Sequence, residues 1–260
     1  CGVIEEVGPE VKLFKVGDRV SHASMPIGAY SEKHIMPENK LVPVPDGVSD
    51  EVASCVTLKG ITAEYLLHRA YPLKKGDKVL YHAAAGALGQ ILCPWANSIG
   101  AEIIGTVGSK EKEEIAKKNG CHHVINYTDK DFVEEVEKIV GKNGIDVVYD
   151  GVGLKTFEGS IEVLKIRGMM VAFGNASGYV DTIDVKKHIN AKGLFFTRPS
   201  IAHYTIEREE LLESAKKVFN AVLSGKFKIE ISKKYSLDEV KQAHEDLEGR
   251  LLTGPAVIKP

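Results

Sequence analysis

Of the 260 residues, 43% are hydrophobic and 27% charged, the balance of a globular chain with enough apolar side chain for a sizeable core. The net charge of -2, from 34 Lys and Arg against 36 Asp and Glu, gives no electrostatic case for nucleic acid or an acidic membrane, and no apolar run reaches membrane-span length. The opening CGVIEEVG has no signal-peptide pattern and reads as a strand already under way, so the start of the natural protein is expected to be missing.

Residues 1–57 hold short β candidates, CGVIEEV, DRVSHA, GAYSEKHIM and KLVPVP, separated by the turn-forming stretches GPE, VGD, PIG and PDG. This punctuation predicts a small barrel or sandwich. A helix-spaced run, SDEVASCVTLKGITAEYLLHRA, follows, with Ser49 or Asp50 placed to cap it.

Strands and helices then alternate. The strand candidates are KVLYHA, EIIGTVG, HVINY, DVVYDGV, MMVAFG and LFFTR. Helices are predicted near 87–99, 110–119, 130–140 and 155–165, with a shorter segment near 184–191. Unbroken apolar strands are what a sheet covered on both faces requires, and the repeat predicts an α/β fold with a doubly wound parallel sheet. Beyond residue 200 come a predicted helix at 207–224, a strand at FKIEIS, a helix at SLDEVKQAHEDLEG and a last strand at PAVIKP. The division expected is 1–57 as part of a β-barrel domain, 58–200 as the nucleotide-binding domain and 201–260 as a return to the first.

The chemistry concentrates in HAAAGALG. Ala84-x-Gly86-x-x-Gly89 is the spacing of a dinucleotide loop with Ala in the first glycine position. Gly86 lets backbone approach a pyrophosphate, Gly89 lets the helix close on the strand, and the helix N-terminus holds phosphate oxygens. Where an NAD site carries an acidic residue after the second strand, this chain has Gly108 and Ser109, then Lys110 and Lys112. No carboxylate there repels a 2′-phosphate, so NADP is expected over NAD.

The cysteines, Cys1, Cys55, Cys93 and Cys121, include no CxxC pair, so neither a disulfide framework nor a zinc knuckle is indicated and buried thiols in a reducing compartment are expected. Nine histidines include no HExxH, and adjacent His122 and His123 would point to opposite faces of a strand.

In order along the chain, VGPEVKLFKVGDRV, LKGITAEYLL, HAAAGALGQ, GTVGSKEK, VINY, VVYDGVG, VAFGNASG and FTRPS resemble the ζ-crystallin type of quinone oxidoreductase, zinc-independent members of the medium-chain dehydrogenase/reductase superfamily. The resemblance implies a Rossmann domain set into a GroES-like β-barrel, here partial, with the active site in the cleft between them. It implies NADPH-dependent reduction of quinones, or of enones and enals, by a cytoplasmic homodimer that meets through GLFFTRPS. It also admits a non-catalytic, crystallin-like or RNA-binding role for an NADPH-binding chain.

Residue by residue, the resemblance places Ala87 and Leu88, with Gly86 and Gly89, at the pyrophosphate. It places Gly108, Ser109, Lys112 and Tyr127 around the 2′-phosphate, and Phe173, Gly174 and Asn175 along the nicotinamide half. Tyr65, Arg198, Pro199 and Ser200 would line the same cleft, and Arg250 would reach the cofactor from the tail. No zinc is expected, since Leu58 stands near the position of a cysteine ligand in zinc-dependent relatives. Relatives carry several dozen residues ahead of CGVIEEVG that complete the barrel. No acid–base dyad is evident, and no catalytic residue is assigned.

Overall fold

The computed structural model describes residues 1–23, 26–249 and 251–260. The chain forms two compact units, one of residues Cys1–Glu64 with Ile201–Pro260, the other Tyr65–Ser200.

The first unit begins with three short strands, β1 (Gly2–Val3), β2 (Arg19–Ser21) and β3 (Val42–Pro43), in an antiparallel sheet of that order. The strand predicted at 28–36 is absent. Gly28 has φ of 145°, and Ser31 Oγ donates to its carbonyl at 2.6 Å, which turns the chain where an extended run was expected. Helix α1 (Asp50–Tyr65) starts where Ser49 Oγ accepts from the Val52 N–H at 3.3 Å, so Ser49 is the cap. Arg19 ties β2 to that start through Asp50 Oδ1, at 3.0 and 2.6 Å, and the Val48 carbonyl, at 2.7 Å.

In the second unit, a π-helical turn at Leu66–Ala70 precedes β4 (Lys78–His82). Then come α2 (Gly89–Ile99), β5 (Glu102–Val107), α3 (Lys110–Lys118), β6 (His123–Asn126), α4 (Phe132–Val140) and β7 (Ile145–Asp150). After these, α5 (Phe157–Val163), β8 (Leu164–Ala172) and β9 (Phe195–Thr197) complete it. All six strands pair in parallel in the order β6-β5-β4-β7-β8-β9. This is the doubly wound sheet the apolar runs predict. Leu80, Ile104, Ile125, Ile145, Val148 and Met170 are buried on it, beneath Val136 of α4 and Phe157 and Ile161 of α5.

Strand β8 begins earlier than the sequence suggests. Its pairing with β7 slips from Ile145↔Leu164 to Val147↔Met169, and the exposed residues between include Arg167 at φ of 61°. The segment near 184–191 is a π-helical turn, Val185–Asn190, capped by Asp184, which accepts from Lys187 N–H at 3.0 Å.

The chain returns to the first unit in α6 (Arg208–Leu223), β10 (Lys233–Ser236), α7 (Val240–Glu248) and β11 (Ala256–Lys259). Helices α1 and α6 approach closely at Gly60, where a Cβ would lie 2.4 Å from Val218 Cγ1. One turn on, buried Glu64 accepts from Ser214 Oγ at 2.7 Å and from Lys217 Nζ at 3.2 Å. The strand expected at FKIEIS lies later, at β10, which pairs in parallel with β11 from Lys233↔Ala256 onward. Upstream of that register the partner is Pro255, which has no N–H to continue the ladder; Ser232 N–H donates to its carbonyl at 2.8 Å, and the pairing stops.

Buried Asp246 of α7 accepts from Lys233 Nζ at 2.6 Å, Tyr235 Oη at 2.5 Å and Gln242 Nε2 at 2.7 Å. The Lys233 ammonium, then the other two donors, lower its pKa from 3.8 to about 2. A carboxyl depressed in the folded state contributes stability that is present above its unfolded pKa and is lost as pH falls through its folded one. Denaturant melts should therefore show stability falling between pH 4 and pH 2. Asp246→Asn should be less stable at neutral pH and show a shallower acid loss; an unchanged acid limb would remove the carboxylate from that role.

Candidate functional site

Parallel pairing places the C-terminal ends of all six strands on one edge of the sheet. Strand order reverses between β4 and β7, so the crossovers leaving those two strands diverge and open a crevice at their ends. HAAAGALG stands at this switch point. Ala83 takes φ of 63°, a strained value for a residue with a Cβ, and the Gly86 N–H closes the turn onto its carbonyl at 2.9 Å. Gly89 opens α2, and a Cβ on it would lie 2.1 Å from the Ala84 carbonyl oxygen, so only glycine allows this approach of helix to strand. Gly86 is exposed and Ala87 and Leu88 are half-buried. No side chain caps α2 at its N-cap position, Leu88; the Gln90 and Ile91 N–H groups donate to the Gly86 and Leu88 carbonyls at 3.1 and 3.0 Å, and the positive end of the helix dipole faces the exposed turn at Gly86, where it favours an anion. An exposed glycine turn at Gly86, beside a helix start that no side chain caps, fits a dinucleotide.

At the ends of β5 and β6 the structure brings Gly108 against Tyr127. A Cβ on Gly108 would meet Tyr127 Oη at 2.5 Å, and Tyr127 remains 44% exposed. Ser109 caps α3, its Oγ accepting from the Lys112 N–H at 3.4 Å. Residues 108–110 include no carboxylate, and Lys112 is half-buried.

At the ends of β7 and β8, two turns lie backbone to backbone. A Cβ on Gly174 would stand 2.4 Å from the Gly151 carbonyl oxygen, and one on Gly153 would stand 2.7 Å from that of Gly178. Phe173 packs over Gly151 and stacks at 6.5 Å on the buried Tyr81 ring. Arg198, beyond β9, donates from Nη1 to the Ala172 carbonyl at 2.8 Å, which sets its guanidinium beside the last residue of β8. Gly174 and Asn175 are half-buried, Ser200 is exposed and Pro199 is buried. Tyr65, the last residue of α1, is only 3% exposed. Arg250 lies outside the described residues.

Sequence reasoning missed a buried polar chain under this edge. Asp150, the last residue of β7, is wholly buried. Its Oδ1 accepts from the N–H groups of Val152 at 2.7 Å and Gly153 at 2.9 Å, and its Oδ2 from Thr156 Oγ1 at 2.7 Å and Ser160 Oγ at 3.2 Å. Ser160 Oγ also lies 2.9 Å from His82 Nε2, and His82 Nδ1 lies 2.9 Å from Thr106 Oγ1. Burial pushes the His82 pKa down, against a smaller upward pull from the Asp150 charge, so the ring is neutral. The signal for this group was a polar residue closing each apolar strand: His82 on β4 and Asp150 on β7.

Among the described residues no three His, Cys, Asp or Glu side chains come together as metal ligands, and the four cysteines are free thiols. That donor set does not fit a structural or catalytic zinc.

Residues 87–247 match the family of zinc-binding dehydrogenases. The 2-haloacrylate reductase of Burkholderia sp is 46% identical over all of this chain and 79% of its own length. Quinone oxidoreductase 1 of Escherichia coli K12 is 42% identical over all of this chain and 80% of its own. The crystal structure of the Escherichia coli quinone oxidoreductase complexed with NADPH superposes with a TM-score of 0.96, covering 100% of this chain and 80% of that one. With its glycine loop at the switch point of a doubly wound sheet, the chain belongs to the quinone oxidoreductases of the medium-chain dehydrogenase/reductase superfamily.

Proposed function

We propose that this chain is an NADPH-dependent oxidoreductase that reduces quinones. The observation that carries the reading is the glycine-bearing turn at the strand-order reversal, with a helix that no side chain caps behind it and no acidic residue at positions 108–110 after the second strand. Bound NADPH supplies the hydride. The protein binds and orients it: the loop at Gly86 and Gly89, with the N–H groups of Ala87 and Leu88, takes the pyrophosphate. Lys112 neutralises the 2′-phosphate, Ser109 donates to it, and Gly108 and Tyr127 shape the adenosine end. Phe173, Gly174 and Asn175 run along the nicotinamide half, with Arg198, Pro199, Ser200 and Tyr65 around them. Holding a flat electrophile against the nicotinamide and excluding water is the remaining work. No acid–base pair is invoked, because solvent can protonate a reduced quinone.

A second substrate class is favoured by the relative named 2-haloacrylate reductase, whose name denotes an activated alkene. Steady-state assays with NADPH across short quinones, enones and 2-haloacrylates should give the highest kcat/KM with quinones. A reversed ranking would move the assignment to alkene reduction, and no turnover with any of them would end it.

Lys112→Ala should weaken NADPH binding by about 1–2 kcal/mol, the scale of one partly exposed charge-assisted contact, and leave NADH binding nearly unchanged. Equal losses for both cofactors would take the 2′-phosphate away from Lys112.

We place the protein in the cytoplasm, where free thiols stay reduced; no helix among the described residues is long and apolar enough to cross a membrane. We also infer a homodimer. Strand β9 is the last in its sheet, and Phe195 on it is 57% exposed, an edge that a second copy would cover by continuing the sheet about a two-fold axis. Leu194 is buried within its own unit, so the contact falls on Phe195–Thr197. Light scattering should find a dimer at micromolar concentration, and Phe195→Pro, which removes a ladder donor, should give monomer or aggregate. A monomeric parent would overturn the assembly.

A further inference from the structure

Four polar side chains, Thr106, His82, Ser160 and Asp150, form a continuous hydrogen-bonded line across the ends of β5, β4 and β7, each no more than 1% exposed. Burying a carboxylate and three further polar groups here is costlier than filling the space with apolar side chains, so the line is informative for the geometry it enforces. Its proton arrangement is determined by the carboxylate. Ionised Asp150 can only accept, which commits the Ser160 hydroxyl proton to it. Ser160 Oγ therefore accepts from His82 Nε2–H, His82 Nδ1 is left as an acceptor, and Thr106 Oγ1 donates to it.

What Asp150 holds is the turn that carries the nicotinamide-side loop. Its Oδ1 fixes the N–H groups of Val152 and Gly153. That turn in turn receives the Ala176 N–H on the Gly151 carbonyl at 3.3 Å and the Ser177 N–H on the Val152 carbonyl at 2.8 Å, while the Leu154 N–H donates to Gly178 at 3.1 Å. His82 also directly precedes Ala83, the strained residue that starts the glycine turn. His82 thus joins the two halves of the crevice, through the main chain to the glycine turn and through Ser160 and Asp150 to the 150–153 turn.

We infer that His82 is a positioning residue for the cofactor, acting through Ser160 and Asp150 to hold the 150–153 turn, and with it residues 173–175, in register with the glycine loop. The inference rests on the NADPH reading above. The arm to Ser160 carries the effect, and the arm to Thr106 does not.

Two substitutions separate the arms. In His82→Gln an amide nitrogen can replace the Nε2 donor to Ser160. In His82→Asn an amide oxygen can replace the Nδ1 acceptor for Thr106, but the donor to Ser160 is lost. NADPH dissociation constants, read from cofactor fluorescence, should be nearly unchanged for Gln and raised about tenfold for Asn, the weight of one lost hydrogen bond to a charged network. The Asn variant should raise KM for NADPH while holding kcat at saturation. Hydrogen exchange at the Val152 and Gly153 amides should speed up in Asn and not in Gln. Ser160→Ala severs the same link from the other side and should reproduce the Asn pattern, with the double variant no worse than the poorer single one. Equal affinity and equal exchange for Gln and Asn, or affinity losses that merely track the thermal midpoint, would overturn the role. A parent protein that does not bind NADPH would overturn the cofactor reading instead, and amide exchange at Val152 and Gly153 would still decide whether His82 holds the turn.

Discussion

Parallel pairing is the constraint from which the rest follows. A parallel strand cannot be reached by a tight turn, so each of the five strands after β4 is fed by a crossover, and every strand ends on the same edge. Where successive crossovers leave in opposite directions, between β4 and β7, no connection covers the edge. Backbone at that point is free to meet a ligand, and the residues there are selected for how closely main chain can approach main chain. Gly89 against Ala84 and Gly174 against Gly151 are two such approaches, each too close for a Cβ.

That openness has a cost beneath it. Strand ends facing a crevice lose the packing that fixes strand ends elsewhere, and this protein replaces it with hydrogen bonds buried just below the opening. A fully satisfied buried carboxylate is directional in a way that apolar packing is not. Asp150 accepts four hydrogen bonds, two from the turn that follows it and two from side chains of the next helix and its cap region. The first unit uses the same device at smaller scale. Glu64 joins α1 to α6, and Asp246 joins α7 to β10.

The electrostatics of the adenosine end rest as much on what is missing as on what is present. Ser109 serves as helix cap and residues 108–110 hold no carboxylate, so the helix start with Lys110 and Lys112 favours an anion there, against Glu111 and Glu113 in the first turn of α3. The same short stretch therefore stops a strand and starts a helix.

The sequence by itself determined the class of fold and the place of the glycine turn. Apolar runs in β4, β5 and β7 are diagnostic because both faces of a parallel sheet are buried, and Gly86 with Gly89 is diagnostic because few other arrangements need two Cβ-free positions at a strand–helix junction. Of Ser49 and Asp50, both placed to cap α1, Ser49 does so, and Ser109 caps α3. Where an outcome hung on distant partners, the sequence was silent or misleading. FKIEIS has strand composition, but its neighbour in space is Pro255, which has no N–H to offer. GAYSEKHIM alternates well enough, yet turns at Gly28. His82 and Ser160 lie 78 residues apart, and no local pattern links them. Only the parallel register that sets β4 beside β7, and α5 against both, brings imidazole, hydroxyl and carboxylate into one line, because hydrogen bonds between side chains depend on position in space and leave no periodicity in the chain.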